Sequence, residues 1–530
     1  MRCVSSRALA CCGAAVTMVV ALGTAAVVAA APPGPVAPQA GAGYWHTSGN
    51  QILDAGGDPV RIAGINWYGF ETPDEVAHGL WAQDYHAVVD DVKNLGYNTI
   101  RIPFSNQMVE TPVVPQNIGY YNTGPINTDL KGLNSLQILD KIIGYAGQDG
   151  LKVILDDHRS EAGESAEQNG LWYTSAYPDS AWVNDWATIA KRYAGNSTVI
   201  GFDLRNEPHT PAGDTYAHGA TWGTGDTGTD IRLAYQRAGN AVLAADPGAL
   251  VFCEGISENP NSSGGADSTW WGGDLVSAGA NPVQLSSPGH VVYSAHDYGP
   301  DLFQQSWFNS STTTASLESV WNKNWGYLYA QGTAPVWVGE FGTGNTASAV
   351  SDSTAGSQGQ WFSSMITYLH GNPWMGWTYW ALNGEDSYAL LDGNYDPAPA
   401  SAAKQQELAT IQFPLSGGTT TTTPPPTSPP PASCSVSYSV TNSWAGGFQG
   451  QVVVTNSGTA AINGWTVAWT FPGDQKISNG WNATVSQSGS AVTATNPSYA
   501  TTIAPGGTAS FGFTATYQSG NASPTSFSCD

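Results

Sequence analysis

The sequence predicts an α/β fold, a (β/α)8 TIM barrel, followed by a separate all-β sandwich. Three observations carry this expectation. Between residues 44 and 415, eight short apolar runs recur, most of them separated by longer stretches of helical period. A Pro/Thr-rich tract at 416–432 then interrupts the chain with residues that cannot bury a core and should form an extended tether. Beyond it, residues 433–530 alternate apolar and polar side chains over short runs, with turn residues between and almost no helical period.

In chain order, residues 1–31 read as a secretory signal. Arg2 and Arg7 precede an Ala/Val-rich run from about Leu9 to Val28, and Ala29-Ala30-Ala31 offers small residues for cleavage before Pro32. No other stretch is long and apolar enough to span a bilayer, so the mature chain is expected to be secreted, extracellular and free of the membrane. A short Ala/Pro/Gly lead fills 32–43. The expected strands are Arg61–Trp67, Thr99–Phe104, Lys152–His158, Val199–Asn206, Leu250–Ile256, His290–Tyr298, Pro335–Glu340 and Gly376–Asn383. Helical stretches fall at Asp84–Leu95, Leu133–Gln148, Asp179–Tyr193, Asp230–Ala245, Leu317–Gln331 and Gln358–Leu369. Ser257–Gly289, rich in Gly, Ser and Asn, shows no helix. An open doubly wound sheet shares this element order, but eight strands with mostly helical crossovers fit closure better.

With 41 acidic against 17 basic residues, the formal charge is −24, which argues against nucleic acid or an anionic membrane as partner. Only 11% of residues are charged while 21 are Trp, a balance suited to flat, neutral ligands. Of six cysteines, three lie in the signal. Cys434 and Cys529 bracket the last domain and are expected to pair in an oxidising compartment. Cys253, inside an apolar run, reads as a buried, inert thiol.

Two glutamates carry the chemistry. Val199–Arg205 runs into Asn206-Glu207-Pro208, and Pro335–Gly339 runs into Glu340-Phe341-Gly342. A parallel barrel gathers its strand C-termini on one face, so both carboxylates can converge on one cleft. Paired carboxylates flanking a bond are the means of glycoside hydrolysis. Asp156, Asp157 and His158 in a row also suit a metal site, but no matching ligand set accompanies them, and neither metal nor cofactor is expected.

Asn206-Glu207-Pro208 after a strand, followed by Gly339-Glu340-Phe341-Gly342, resembles glycoside hydrolase family 5, and in particular its actinobacterial secreted endo-β-1,4-glucanases. Further matches are Gly79-Leu80-Trp81, Gly96–Arg101, Ser294–Tyr298 and Trp321–Tyr327, so the likeness spans the large domain. It implies Glu207 as general acid/base, Glu340 as nucleophile and Arg101 as a cation keeping Glu340 ionised. Asn206 would bind the sugar 2-hydroxyl, Tyr298 would hold the nucleophile, and His158 and His296 would bind hydroxyls and orient the carboxylates. Trp380 is implied as the floor of the cleft, with a cis peptide at Trp380–Ala381. Trp81 and Trp271 are the next candidate sugar platforms, then Trp67. Two polar, Gly-rich segments, Glu161–Gln168 and Thr210–Gly228, follow catalytic strands without obvious anchors.

The small domain resembles a family 2 carbohydrate-binding module through Asn442–Phe448, Gly464–Trp469, Gly480-Trp481-Asn482 and Pro505-Gly506-Gly507. The resemblance implies a flat binding face of Trp444, Trp481 and Tyr499, whereas Trp465 and Trp469, on one face of one strand, read as core. The function expected is a secreted, monomeric, retaining endo-β-1,4-glucanase that binds cellulose or a related β-1,4-glucan. A mannanase or xylanase on the same scaffold is the alternative within enzymes, and a non-catalytic carbohydrate-binding protein the alternative outside them.

Overall fold

A strand that is apolar on both faces must lie between an inner core and a covering layer, and all eight apolar runs do. In the computed structural model, the strands are β1 (Ala63–Asn66), β2 (Thr99–Ser105), β3 (Lys152–Arg159), β4 (Val199–Asp203), β5 (Leu250–Glu254), β6 (Val291–His296), β7 (Val336–Glu340) and β8 (Gly376–Tyr379). Each pairs in parallel with its sequence neighbour, and β8 returns to β1 to close the barrel. The structure describes residues 41–413, apart from 120–125, 216–217 and 261–265, and residues 434–529, apart from 445, 457–461, 497–501, 504–506, 519–520 and 525–526. The expected signal and linker therefore lie outside the described residues.

The covering helices are α1 (Tyr85–Asn94), α2 (Ser135–Gln148), α3 (Asp179–Tyr193), α4 (Ile231–Ala245), α5 (Thr314–Trp321), α6 (Gln358–Gly371) and α7 (Ala402–Ala409). Helix α3 buries Trp182, Trp186, Ile189, Ala190 and Tyr193, the spacing of a single helical face. Asp84 accepts the His86 N–H in the first turn of α1, and Asn134 with Gln137 forms a capping box at the start of α2. Between β5 and β6 the Gly-rich segment forms no long helix; Glu258–Pro260 and Ala266–Ser268 pair as a small hairpin instead. Helix α5 continues through a π-helical turn, Asn322–Gly326, into Tyr327–Ala330.

Inside the barrel, the two-residue period stacks side chains in layers. Ile62, Ile154, Ile200, Leu250, Phe252, Val292 and Trp337 form the lower, apolar layers. Ile52 and Val60, from an N-terminal three-stranded sheet, and Trp45 just before it cluster with them. Two residues further along the same faces, the side chains turn polar: Asp156 above Ile154, Glu254 above Phe252, and His296 beyond Val292 and Ser294. The site thus rests on a packed apolar floor, with Trp337 5.8 Å beneath the Arg101 guanidinium.

Contacts divide the chain into two units at Gly418/Thr419. The second contains β9 (Cys434–Trp444), β10 (Gly447–Asn456), β11 (Thr466–Thr470), β12 (Lys476–Trp481), β13 (Thr484–Ser488), β14 (Ala491–Thr495), β15 (Thr508–Thr516) and β16 (Phe527–Cys529). They form two antiparallel sheets, ordered β9-β10-β15-β12 and β13-β14-β11-β16. Trp465 and Trp469 are core residues, packed on Phe511 and Phe513. Cys434 and Cys529 are disulfide-bonded, joining the first strand of this unit to its last. Cys253 is free and fully buried.

Candidate active site

Glu340 is the last residue of β7, and Glu207 follows β4 through Leu204-Arg205-Asn206. One carboxylate oxygen from each, with a ring nitrogen of His296, all lie within 4.8 Å of one another. The carboxyl groups of a retaining glycosidase stand about 5–5.5 Å apart. Glu207 has φ +46°, a left-handed conformation that costs a non-glycine residue on the order of 1–3 kcal/mol. Its backbone N–H is held by Glu254 Oε2 at 2.8 Å.

Arg101, in β2, stands at the centre. Its Nη1 donates to Glu340 Oε1 at 2.7 Å and to Asn66 Oδ1 at 3.0 Å. Nε donates to Asp203 Oδ2 at 3.0 Å, and Nη2 to Asn206 Oδ1 at 2.9 Å and Glu254 Oε1 at 3.2 Å. Asp156 completes the ring at 3.1 Å. Tyr298 donates to the second Glu340 oxygen at 2.7 Å. His296 places Nδ1 3.0 Å from Glu207 Oε1 and 3.6 Å from Glu340 Oε2. His158 Nδ1 lies 2.7 Å from Asp156, and its Nε2 is 3.3 Å from the Asn206 amide nitrogen. All seven expected catalytic residues therefore meet in one cluster.

Burial pushes the Glu340 carboxyl up, but the charges on His296 and Arg101, with the Tyr298 hydrogen bond, outweigh it and hold Glu340 below its ordinary pKa. Glu207 is pushed above its ordinary pKa, by burial first and then by the Glu340 charge, against the hydrogen bond from His296. Asp156 and Asp203 are raised well above theirs, mainly by burial. Two neighbouring glutamates are thus driven apart, one toward the acid and one toward the anion. Such a pair can protonate a leaving oxygen while attacking the carbon it leaves.

A cleft of about 620 Å³ opens over both glutamates, walled by His158, Trp270, Trp271, Tyr298, Trp380 and Tyr388. Trp380 lies parallel to His158 at 5.8 Å, and a cis peptide follows it. Trp271, 39% exposed, stacks on His209 at 3.7 Å. Trp67 requires correction: it is fully buried, with Nε1 bonded to the His78 carbonyl, and cannot meet a sugar. Asn66 points into the barrel, so Trp67 points outward, and the next residue, half-buried Tyr68, stacks on Trp380 at 5.4 Å. Trp81 sits further out, edge-on to His78 at 5.1 Å, and does not line the cleft around the glutamates.

Several functional-site residues are not evident from sequence. Glu254, Asp203 and Asn66 enter through strand parity, which buried runs conceal, and Asp156, read from sequence as a possible metal ligand, instead pairs with Arg101 and His158. Leu302 and Phe303 stand exposed on the cleft edge, with Phe303 edge-on to Trp270 at 6.5 Å. The polar loops do have anchors. Arg159 donates to the carbonyls of Glu161, Glu164 and Ser165, and Arg205 reaches Glu167 at 3.4 Å. Asp230 caps Gly223 and Gly225 in the other loop.

On the C-terminal unit, Trp444 and Trp481 end β9 and β12 of the same sheet and are 45% and 40% exposed. Gly447 and Gly512 sit directly opposite in the neighbouring strands, where a Cβ would come within 2.4 Å of each indole. Only glycine lets these rings lie flat across the sheet. Tyr499 lies outside the described residues.

Residues 53–386 match the family model for cellulase (glycosyl hydrolase family 5), and residues 434–530 match that for a cellulose binding domain. An endoglucanase from Paenibacillus polymyxa is 43% identical over 376 residues, covering 70% of this chain and 88% of that one. The major extracellular endoglucanase of Xanthomonas campestris pv. campestris is 35% identical over 493 residues, covering 89% and 94%. Among solved structures, a cellotetraose complex of an endocellulase from Pyrococcus horikoshii superposes with a TM-score of 0.62 at 32% identity, covering 71% of this chain and all of that one.

Proposed function

This chain belongs to glycosyl hydrolase family 5, and on that footing we propose that Glu207 is the general acid/base and Glu340 the nucleophile of a secreted, monomeric endo-β-1,4-glucanase. The enzyme cleaves internal β-1,4-glucosidic bonds of cellulose with retention, and its C-terminal module directs it to the insoluble polymer. The single observation behind the two roles is the approach of the two carboxylates within 4.8 Å while their surroundings drive their protonation in opposite directions.

Glu340 attacks the anomeric carbon as Glu207 protonates the departing oxygen. Glu207 then takes a proton from the water that releases the glycosyl-enzyme. Tyr298 and Arg101 hold the attacking oxygens, and Asn206, oriented by Arg101, presents its amide to the sugar. Trp380 and Trp271 offer flat faces to the sugar rings. Secretion is supported by the extracellular Xanthomonas relative and by the Cys434–Cys529 disulfide. Among the described residues, no helix is long and apolar enough to cross a membrane. Domain limits of 44–415 and 433–530, joined by the 416–432 tether, accord with the two matched families.

Proton NMR of cello-oligosaccharide cleavage is expected to register the β-anomer first; an initial α-anomer would overturn the scheme. The pH profile of kcat/KM should be bell-shaped. It should rise as Glu340 ionises below the ordinary glutamate value of about 4.3 and fall as Glu207 loses its proton above it. Removing residues beyond Gly417 should abolish most binding to insoluble cellulose while leaving hydrolysis of soluble carboxymethylcellulose within about twofold. Parallel loss of both would contradict a separate targeting module.

A further inference from the structure

We propose that Glu254 is a positioning residue for the cleavage reaction: it fixes the backbone of Glu207 and the ring of His296, so that one proton is shared between His296 and Glu207. The proposal rests on Glu207 being the acid/base. Glu254 is completely buried at the end of β5, and its two oxygens do different work. Oε2 accepts the Glu207 backbone N–H at 2.8 Å and so holds that residue in its left-handed conformation. Oε1 accepts from Arg101 Nη2 at 3.2 Å and stands at ion-pair distance from His296 Nε2, 3.1 Å, out of line for a straight hydrogen bond.

Both nitrogens of His296 therefore face acids, Glu254 on one side and Glu207 on the other. A proton kept on Nε2 by Glu254 leaves Nδ1 to exchange a proton with Glu207, the logic by which a buried carboxylate fixes a histidine tautomer. During glycosylation, the shared proton passes from Glu207 to the leaving oxygen. The C1–O bond breaks with its electron pair on that oxygen, and Glu340 bonds to C1. During deglycosylation, water attacks C1, the Glu340–C1 bond breaks, and the water proton returns to the Glu207–His296 pair. Glu254 takes no part in the bond changes.

The charged and titratable groups acting on this pair and on Glu254 are Glu340 from β7, Asp156 and His158 from β3, Asp203 from β4, Arg101 from β2, Tyr298 just after β6 and Tyr235 of α4. The chain above is built onto the same point. Gly272 has φ +70°, and a Cβ there would come within 2.4 Å of Glu254 Oε2 and 3.4 Å of the Glu207 Cα. The Trp270-Trp271-Gly272-Gly273 turn thus seats directly on the Glu254–Glu207 junction, with the Gly255 N–H donating to the Gly272 carbonyl at 3.0 Å.

The test compares Glu254→Gln and Glu207→Gln in the full chain on two aryl β-cellobiosides, one with a dinitrophenyl leaving group and one with phenyl. Loss of acid assistance matters only for the poor leaving group. Glu254→Gln is expected to lower kcat/KM on the phenyl substrate about 100-fold and on the dinitrophenyl substrate less than about threefold. The basic limb should move to lower pH, because removing a neighbouring anion makes Glu207 easier to ionise. Equal losses on both substrates with an unmoved basic limb, or no loss on either, would overturn the proposal. If Glu207→Gln itself shows no leaving-group dependence, the acid/base assignment fails instead, and the proposal with it. Should Glu254→Gln not fold, 15N NMR of histidine-labelled wild-type protein decides, with His296 assigned from His296→Asn. Nε2 must keep its proton across the active pH range, and its loss before Nδ1 overturns the proposal.

Discussion

Glu340→Ala is expected to lower turnover of soluble cellulose derivatives by at least about 10⁴-fold, a loss of roughly 5.5 kcal/mol of transition-state stabilisation. The side chain is 5% exposed and held by Arg101 and Tyr298, so its removal deletes the attacking oxygen and vacates a space at the anomeric carbon. Azide should enter that space and restore cleavage of an activated aryl cellobioside, giving an α-glycosyl azide. Glu207→Ala should instead give the β-azide, because there azide intercepts the glycosyl-enzyme from the face that water uses. A 2-fluoroglycosyl inactivator should label Glu340, as found by peptide mass spectrometry. Label on Glu207, or the same azide anomer from both variants, would reverse or abolish the assignment.

Arg101→Lys should be nearly as damaging despite keeping the charge. The guanidinium presents donors in a rigid fork, and here they reach Asp203, Asn66, Glu340, Asn206 and Glu254 at once. A lysine ammonium has three donors on a flexible stem and cannot span that set. Breaking a buried charge network costs about 3–5 kcal/mol, which for a barrel of this size lowers Tm by roughly 4–7 °C. Activity should fall about 10³-fold. The acid limb of the pH profile should rise, because the shorter lysine holds its charge farther from Glu340 and lowers its pKa less. Calorimetry and a pH-rate profile on one sample check both effects. An acid limb that does not move would show that Arg101 acts on the fold and not on the nucleophile.

Much of the site is legible in the chain because strand ends carry it. Glu207, Glu340, His158 and His296 each close an apolar run, and a parallel barrel brings all such ends to one rim. Facing direction was harder to read. In Ala63–Asn66, every residue is buried, so nothing in the pattern tells which parity looks inward, and Trp67 was expected in the cleft but is buried outside the barrel. Glu254 was hidden for the same reason: it closes Leu250–Glu254, a run in which every position is buried on one face or the other. On the C-terminal unit the alternation is cleaner, since one face of each sheet meets solvent. There Trp465 and Trp469 were separable from Trp444 and Trp481.

By itself, the order of residues determined the elements, the division into two units and the chemical kinds of group available, because periodicity and turn chemistry are local properties. Only the closed barrel decided which groups meet: Arg101 with four acids from four other strands, and His296 between Glu207 and Glu254. Proton affinities followed from that meeting. Burial and neighbouring charge, which separate Glu207 from Glu340, exist only once distant segments share one dry space.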